Sequence, residues 1–215
     1  MHEQQPAPEP EEVRPPPDPP AAEQPPSAES EPTTRPQVWI GSWSDYNNGI
    51  LHGRWIDAAR EDSEVWTDIE AILADSPTAK KYGEKAEEWG VFDFEDFGAL
   101  RVGESDTVEW FAGVARGIKQ HGLAYAAWAD KIDSHEELSK FHEAFLGAWD
   151  SLEAMTETYV ADNGYDQLLD MIIPPHIRRY AKVDTDAMAR DIQLGGDIVV
   201  YRNPDGGVWV FNNHV

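Results

Sequence analysis

Apolar and polar residues alternate over QVWIGSW (37–43) and again over LHGRWIDA (51–58), with DYNNG (45–49) between them. A period of two predicts two strands, and the Asn-Asn-Gly stretch a turn or loop. The period then lengthens. Val65, Trp66, Ile69, Ile72 and Leu73 recur at helical spacing, which predicts a helix capped by Ser63, running to about Asp75 and stopped by Pro77. EEWGVFDFED (87–96) sets Trp89, Val91, Phe92 and Phe94 among acids and reads as a third strand.

The middle of the chain is helical by the same test. Asp106 and Glu109 form a capping-box pattern before the stripe Trp110, Phe111, Val114 and Ile118, and Gly122 suits the stop. A short Ala-rich helix is predicted over Leu123 to Ile132. Ser134 and Glu137 make a second capping box, opening a helix with Leu138, Phe141 and Phe145. Ser151 starts another, with Leu152, Met155 and Tyr159 on one face. Pro174–Pro175 break the chain, Thr185 caps a short helix to Leu194, and Gly195–Gly196 end it. DIVVYR, NPDGG and VWVFNN then give a β-hairpin (197–213). The fold class is α+β, with strands at both ends and helices between.

Composition sets one segment apart. Residues 1–36 hold 12 of the 16 prolines, eight acids, two basic residues and no aromatic. Such a stretch cannot bury enough apolar surface to offset its ordering entropy, and reads as a disordered, partly polyproline-like tail. No apolar run approaches the ~20 residues of a membrane helix, and no basic stretch precedes an apolar one at the N-terminus. The expectation is a cytoplasmic protein. Without Cys there is no disulfide framework, thiolate metal site or Cys nucleophile.

Charge changes the picture most. The chain has 41 Asp and Glu against 17 Lys and Arg, a formal net charge of −24. Residues 37–215 carry −18 of it, unevenly: −11 over 37–110, −7 over 111–170 and zero over 171–215. The neutral end is where self-association meets least repulsion. Nucleic acid and anionic membranes would be repelled at long range.

Catalytic and metal motifs are weak. His142-Glu143-Ala144-Phe145-Leu146 begins like HExxH but has Leu146 where the second His must sit. Asp93, Glu95, Gly98 and Glu104 fall at calcium-loop positions, yet Phe97 takes the place of an oxygen ligand. His135 and His142 are seven residues apart, too far along a helix to ligate one metal. No nucleophile–base pair emerges, and no metal site is expected.

The placing of acids on elements is more informative. Glu64, Asp68 and Asp75 form a stripe beside the apolar face of the first long helix; Glu153 and Glu157 are an i, i+4 pair; Glu136 and Glu143 lie seven apart. Like charges at i, i+4 cost a few tenths of a kcal/mol each. Solvation or salt adaptation is one explanation, and a surface shaped for a cationic groove is the other. Four helical residues rise about 6 Å, comparable to the separation of successive phosphates. At one charge per about 1.7 Å of duplex, eighteen charges match roughly 30 Å and two chains roughly 60 Å. Imitation of DNA would therefore favour an elongated dimer joined through the neutral end.

VWIGSWSDYNNGILHGRWIDA, IEAILADSP, AEEWGVFDFEDFG, FHEAFLGAWDSLEAMTETYVAD and DTDAMARDIQLGGDIVVYRNPDGGVWVF, in that order, closely resemble the ArdA family of antirestriction proteins. The resemblance covers about 37–215 and leaves out the tail. It implies an elongated α+β protein of three small modules: a small antiparallel sheet with a helix (37–103), a central helical module (104–147) and a C-terminal α+β module ending in the hairpin (148–215). It implies a homodimer that mimics bent B-form DNA and occupies the DNA-binding groove of type I restriction–modification enzymes, on their methyltransferase core, protecting incoming mobile DNA. It implies a protein that is not an enzyme, with no catalytic residues and no cofactor, and direct nucleic-acid or membrane binding is not expected. The interface is then a distributed set of carboxylates, for which the candidates are Glu64, Asp68, Asp75, Glu87, Glu88, Asp93, Glu95, Asp96, Asp106, Glu109, Glu136, Glu143, Glu153 and Glu157. An acidic adaptor for another basic or DNA-binding protein is the alternative. A carboxylate hydrolase and plain salt adaptation are more distant rivals.

Overall fold

The computed structural model describes residues 34–132 and 134–215. The expected tail, up to residue 33, lies outside the described residues. The first sheet contains β1 (Gln37–Ser42), β2 (Gly53–Asp57) and β3 (Trp89–Glu95) in the antiparallel order β2-β1-β3. Its register explains the alternation. Val38 stands opposite Ile56 and Phe94, and Ile40 opposite Val91, with Val38, Ile40, Ile56 and Val91 buried. Trp39 stands opposite Trp55 and Asp93, and Gln37 opposite Asp57 and Glu95, on the other face. A register shift at Trp39/Ile40 leaves Phe92 as the extra residue of β3. That bulge keeps Asp93 and Glu95 on the outer face.

Short helix α1 (Trp43–Asn47) replaces much of the turn expected over 45–49. Its cap is Ser42, whose hydroxyl accepts from the Asp45 backbone N–H. α2 (Asp62–Ala74) packs on the inner face of the sheet through Val65, Ile69 and Ile72. Its cap is Glu61 rather than Ser63, and Glu64 reaches back to accept the Glu61 N–H at 3.2 Å. Pro77 does not merely stop α2. It opens α3 (Pro77–Tyr82) at the first turn, where a missing N–H costs nothing. Asp45 ties these pieces together. Its Oδ1 accepts from the Ser76 hydroxyl and the Thr78 N–H, both at 2.9 Å, and the residue is fully buried.

α4 (Val108–His121) is capped by Thr107, whose hydroxyl accepts from Trp110; Asp106 instead accepts from the Gly103 N–H at 2.8 Å. Gly122 ends α4 and begins α5 (Leu123–Lys131). Gly117 lets the Tyr125 ring lie against α4, where a Cβ would collide with it. The helix expected from Ser134 through Phe145 breaks into three: a 3-10 turn (His135–Lys140), α6 (Phe141–Ala144) and a strand, β4 (Phe145–Trp149). Phe145 alternates with Gly147 and Trp149, a strand period that the single apolar stripe of the preceding residues obscures.

The second sheet has the order β4-β6-β5, where β5 (Ile198–Arg202) and β6 (Val208–Asn212) form the expected hairpin. The boundary drawn between 147 and 148 falls inside β4. α7 (Leu152–Asp162), capped by Ser151, packs against α10 (Thr185–Gly195), which Asp184 rather than Thr185 caps. Between them lie α8 (Tyr165–Ile172) and α9 (Pro175–Arg178), neither foreseen. Arg178 fastens them, donating to Asp170 at 2.6 Å and Asp166 at 3.2 Å.

One apolar cluster runs from Val38 and Ile40 through Phe111 and Trp128 to Phe211; a smaller one joins Leu152, Ala189 and Val210. Phe211 carries the C-terminal sheet into the central helices, its ring centroid 5.9 Å from Trp128 and 5.3 Å from Phe145.

Burial alone would push the Asp45 carboxyl up, but hydrogen bonds from Thr78 and Ser76, with the charge of His52, hold it below its ordinary value. The folded protein thus favours the anion, and the stability gained is present above the unfolded pKa of about 3.9. It is lost as pH falls through the folded pKa. Asp45→Ala leaves buried donors unmatched and is expected to cost about 2–3 kcal/mol in urea unfolding at pH 7. The gap between wild type and variant should narrow below about pH 4.

Candidate protein-interaction surface

The fourteen candidate carboxylates divide by what lies beside them. Asp68 is held by two guanidinium groups, Arg54 at 2.9 Å and Arg60 in a shorter contact. Asp75, at the end of α2, pairs with Lys80 at 3.0 Å, and that hydrogen bond and charge lower its pKa. Glu64 is engaged with the Glu61 backbone. The stripe on α2 is therefore not a row of free anions: two of its three members are neutralised by cations. Nearby, Arg116 bonds Asp62 at 2.7 Å and the Arg60 carbonyl, so the cations of this region serve the fold.

The other twelve candidates have no Lys or Arg partner among the described residues, and all except half-buried Asp106 are exposed. Glu87 and Glu88 precede β3. Asp93 and Glu95 stand on the outer sheet face, two residues or about 6.7 Å apart along the strand. Asp96 follows with a positive φ of 64°, a conformation that Asp tolerates better than most residues, and accepts from the Arg35 N–H. Glu109 lies in the first turn of α4, where the helix dipole favours an anion. Glu153 has the same place in α7; hydrogen bonds from its own backbone N–H and from Ser151 lower its pKa. Glu157 is one turn further on. Glu136 and Glu143 do not share one helix, since the first sits on the 3-10 turn and the second on α6.

Sequence reasoning missed the aromatic company of these acids. Asp57, exposed on the outer sheet face, joins Asp93 and Glu95 around the Trp39–Trp55 pair, whose centroids are 5.9 Å apart at 75°. Neither Trp belongs to the two apolar clusters. Trp39 alternating with core residues in β1, opposite Trp55, was the available signal. A cleft of about 270 Å³ is lined by Trp66, Trp89, Glu104, Asp106, Thr107 and Glu109.

The histidines gather more closely than a helix would allow. His121, His135 and His142 line an open groove of about 620 Å³ with Tyr125 and Glu136. The His121 and His142 rings are 4.7 Å apart, and burial, then the neighbouring His142, lowers the pKa of His121. Among the described residues no group of three or more His, Asp or Glu side chains could hold a metal ion. None of the described helices is long and apolar enough to cross a membrane.

Fold and surface together define an α+β protein whose carboxylates are mostly exposed and left without internal cations. The family model of the antirestriction protein ArdA matches residues 38–204, and the chain belongs to that family. A search of curated proteins returned no match.

Asp68 separates scaffold acids from surface acids. Asp68→Asn is expected to lower stability by about 1–2 kcal/mol, because two guanidinium groups lose their shared partner. Urea unfolding checks this, and Glu153→Gln should leave stability within about 0.5 kcal/mol.

Proposed function

We propose that this antirestriction protein mimics B-form DNA and occupies the DNA-binding groove of a type I restriction–modification enzyme, on its methyltransferase core. The observation that carries the reading is the set of twelve candidate carboxylates with no cationic partner among the described residues, on a body of net charge −18. Anions without internal partners remain available to the Lys and Arg side chains of a protein built to hold phosphates. Their repulsion is met during folding, so the surface is preorganised before docking. Asp68 and Asp75, already paired, add less than the other candidates.

The mechanism is exclusion rather than catalysis. The target's cations meet carboxylates in place of phosphates, bound ions leave both surfaces, and duplex DNA can no longer enter. Affinity should fall with salt, and more shallowly than for DNA, because a protein condenses fewer counterions. No residue is assigned a catalytic role and no cofactor is required. The site of action is the cytoplasm, where incoming mobile DNA meets restriction.

The acting species is a homodimer formed through the C-terminal part. α8 buries none of its residues, and Leu168, Met171 and Ile172 are 54%, 83% and 68% exposed where the acidic stretch to residue 170 meets the neutral 171–215. Contiguous apolar exposure of this kind marks interaction surfaces, Arg178 pairs with both acids of α8, and the neutral 171–215 adds no net repulsion between two chains.

Purified protein should displace labelled duplex DNA from a type I methyltransferase core at near-stoichiometric amounts. If DNA stays bound while the acidic protein still associates with another basic protein, the adaptor reading replaces this one. Met171→Asp with Leu168→Asp should shift sedimentation from dimer to monomer with an unchanged circular dichroism spectrum. A wild-type monomer at micromolar concentration would contradict the proposed association.

A further inference from the structure

In the cleft between α2, β3 and the start of α4, three carboxylates border an aromatic wall. Trp66 projects from α2 and is 37% exposed; Trp89 begins β3. Their rings meet edge to face, 5.5 Å apart at 89°. Trp89 is anchored behind by Phe111, 6.5 Å away. The opposite wall is the segment Glu104–Thr107, tied to β3 by the bond from the Val91 N–H to the Glu104 carbonyl at 3.2 Å, and to itself by Asp106 accepting from Gly103. Thr107 caps α4 and so fixes Glu109 in its first turn. Glu104, Asp106 and Glu109 have no Lys or Arg partner among the described residues.

We propose that this cleft is an arginine-binding pocket: a guanidinium from a basic partner stacks on the Trp66 indole and pairs with Glu104 and Glu109. The inference rests on the reading of this protein as a ligand for a cationic groove, and adds which cation the groove must present here. A guanidinium is planar, weakly hydrated and stacks on aromatic faces, and its forked donors suit two carboxylates at once. An ammonium is compact and strongly hydrated, and gains less from an indole wall. The cleft volume of about 270 Å³ has room for one long side chain. Duplex DNA offers phosphates to Lys and Arg alike, whereas this cleft adds a preference between them. Asp106 serves as a positioning residue, because its hydrogen bond to Gly103 shapes the segment that carries Glu104.

The test uses the full chain with two probes of equal charge, a nona-arginine and a nona-lysine peptide. Wild type should bind the arginine peptide about fivefold more tightly than the lysine peptide, the discrimination expected of one cation–π stack. Trp66→Leu should reduce that ratio to about one, as should Glu104→Gln with Glu109→Gln. Glu153→Gln with Glu157→Gln should weaken both peptides alike and keep the ratio. In the wild-type protein, the indole N–H resonances of Trp66 and Trp89 should shift on adding the arginine peptide, while that of fully buried Trp128 stays. A wild-type ratio near one, an unchanged ratio in a folded Trp66→Leu protein, or silent Trp66 and Trp89 indoles would overturn the pocket; the last needs no variant. Loss of the ratio with DNA displacement intact removes the pocket alone. Failure to displace DNA with the ratio intact removes the restriction-enzyme reading and leaves the pocket standing.

Discussion

Repulsion among like charges is the constraint that shapes this protein. From residue 37 to 215, 33 carboxylates face 15 Lys and Arg. That excess favours the expanded chain at every step of folding. Burial opposes it. The cluster that links Val38, Phe111, Trp128 and Phe211 joins both sheets to the helices between them, so that removing apolar surface from water in one part supports the others. The aromatic contacts from Phe141 through Phe145 to Phe211 place that support where the second sheet meets the helices.

The cations are distributed unevenly. Arg54, Arg60 and Arg116 are engaged around Asp62 and Asp68, at the joint between the first sheet, α2 and α4. Arg178 is engaged with Asp166 and Asp170, holding α9 to α8. Internal ion pairs thus consolidate joints, while β3, the start of α4, α6 and α7 carry anions without Lys or Arg partners among the described residues. Helix N-termini add to this separation, since Glu109 and Glu153 lie where the dipole stabilises negative charge. An acid on this surface can therefore have either of two roles, and its nearest cation tells which.

Much of the fold was legible because strand and helix periods differ. Alternation around Val38, Ile56 and Val91 gave the three strands of the first sheet, and the hairpin at the end declared itself by NPDGG. Capping residues were read less well. Ser63, Asp106 and Thr185 all have a plausible side chain one residue or two from the true cap, and local hydrogen bonding alone cannot separate neighbours of similar chemistry. β4 was hidden because Phe141 and Phe145 are four apart, a helical spacing, although tertiary pairing with β6 takes Phe145 into a sheet. The acids were legible as a population and not as individuals. Nothing in the spacing of Glu64, Asp68 and Asp75 reveals that Arg54, distant in sequence, turns back onto Asp68. The aromatic wall of Trp66 and Trp89 was equally hidden, because contact between an α2 residue and a β3 residue is a product of topology.

On the proposed reading, many anions act together and none acts alone. Neutralising them in successive blocks, Asp93 with Glu95, then Glu136 with Glu143, then Glu153 with Glu157, and titrating each protein against a DNA-bound methyltransferase core, tests it most directly. The expected result is a stepwise weakening of competition, block by block, with fold stability unchanged or slightly raised. Complete loss on changing one pair, or full competition by the protein with all three blocks neutralised, would contradict it.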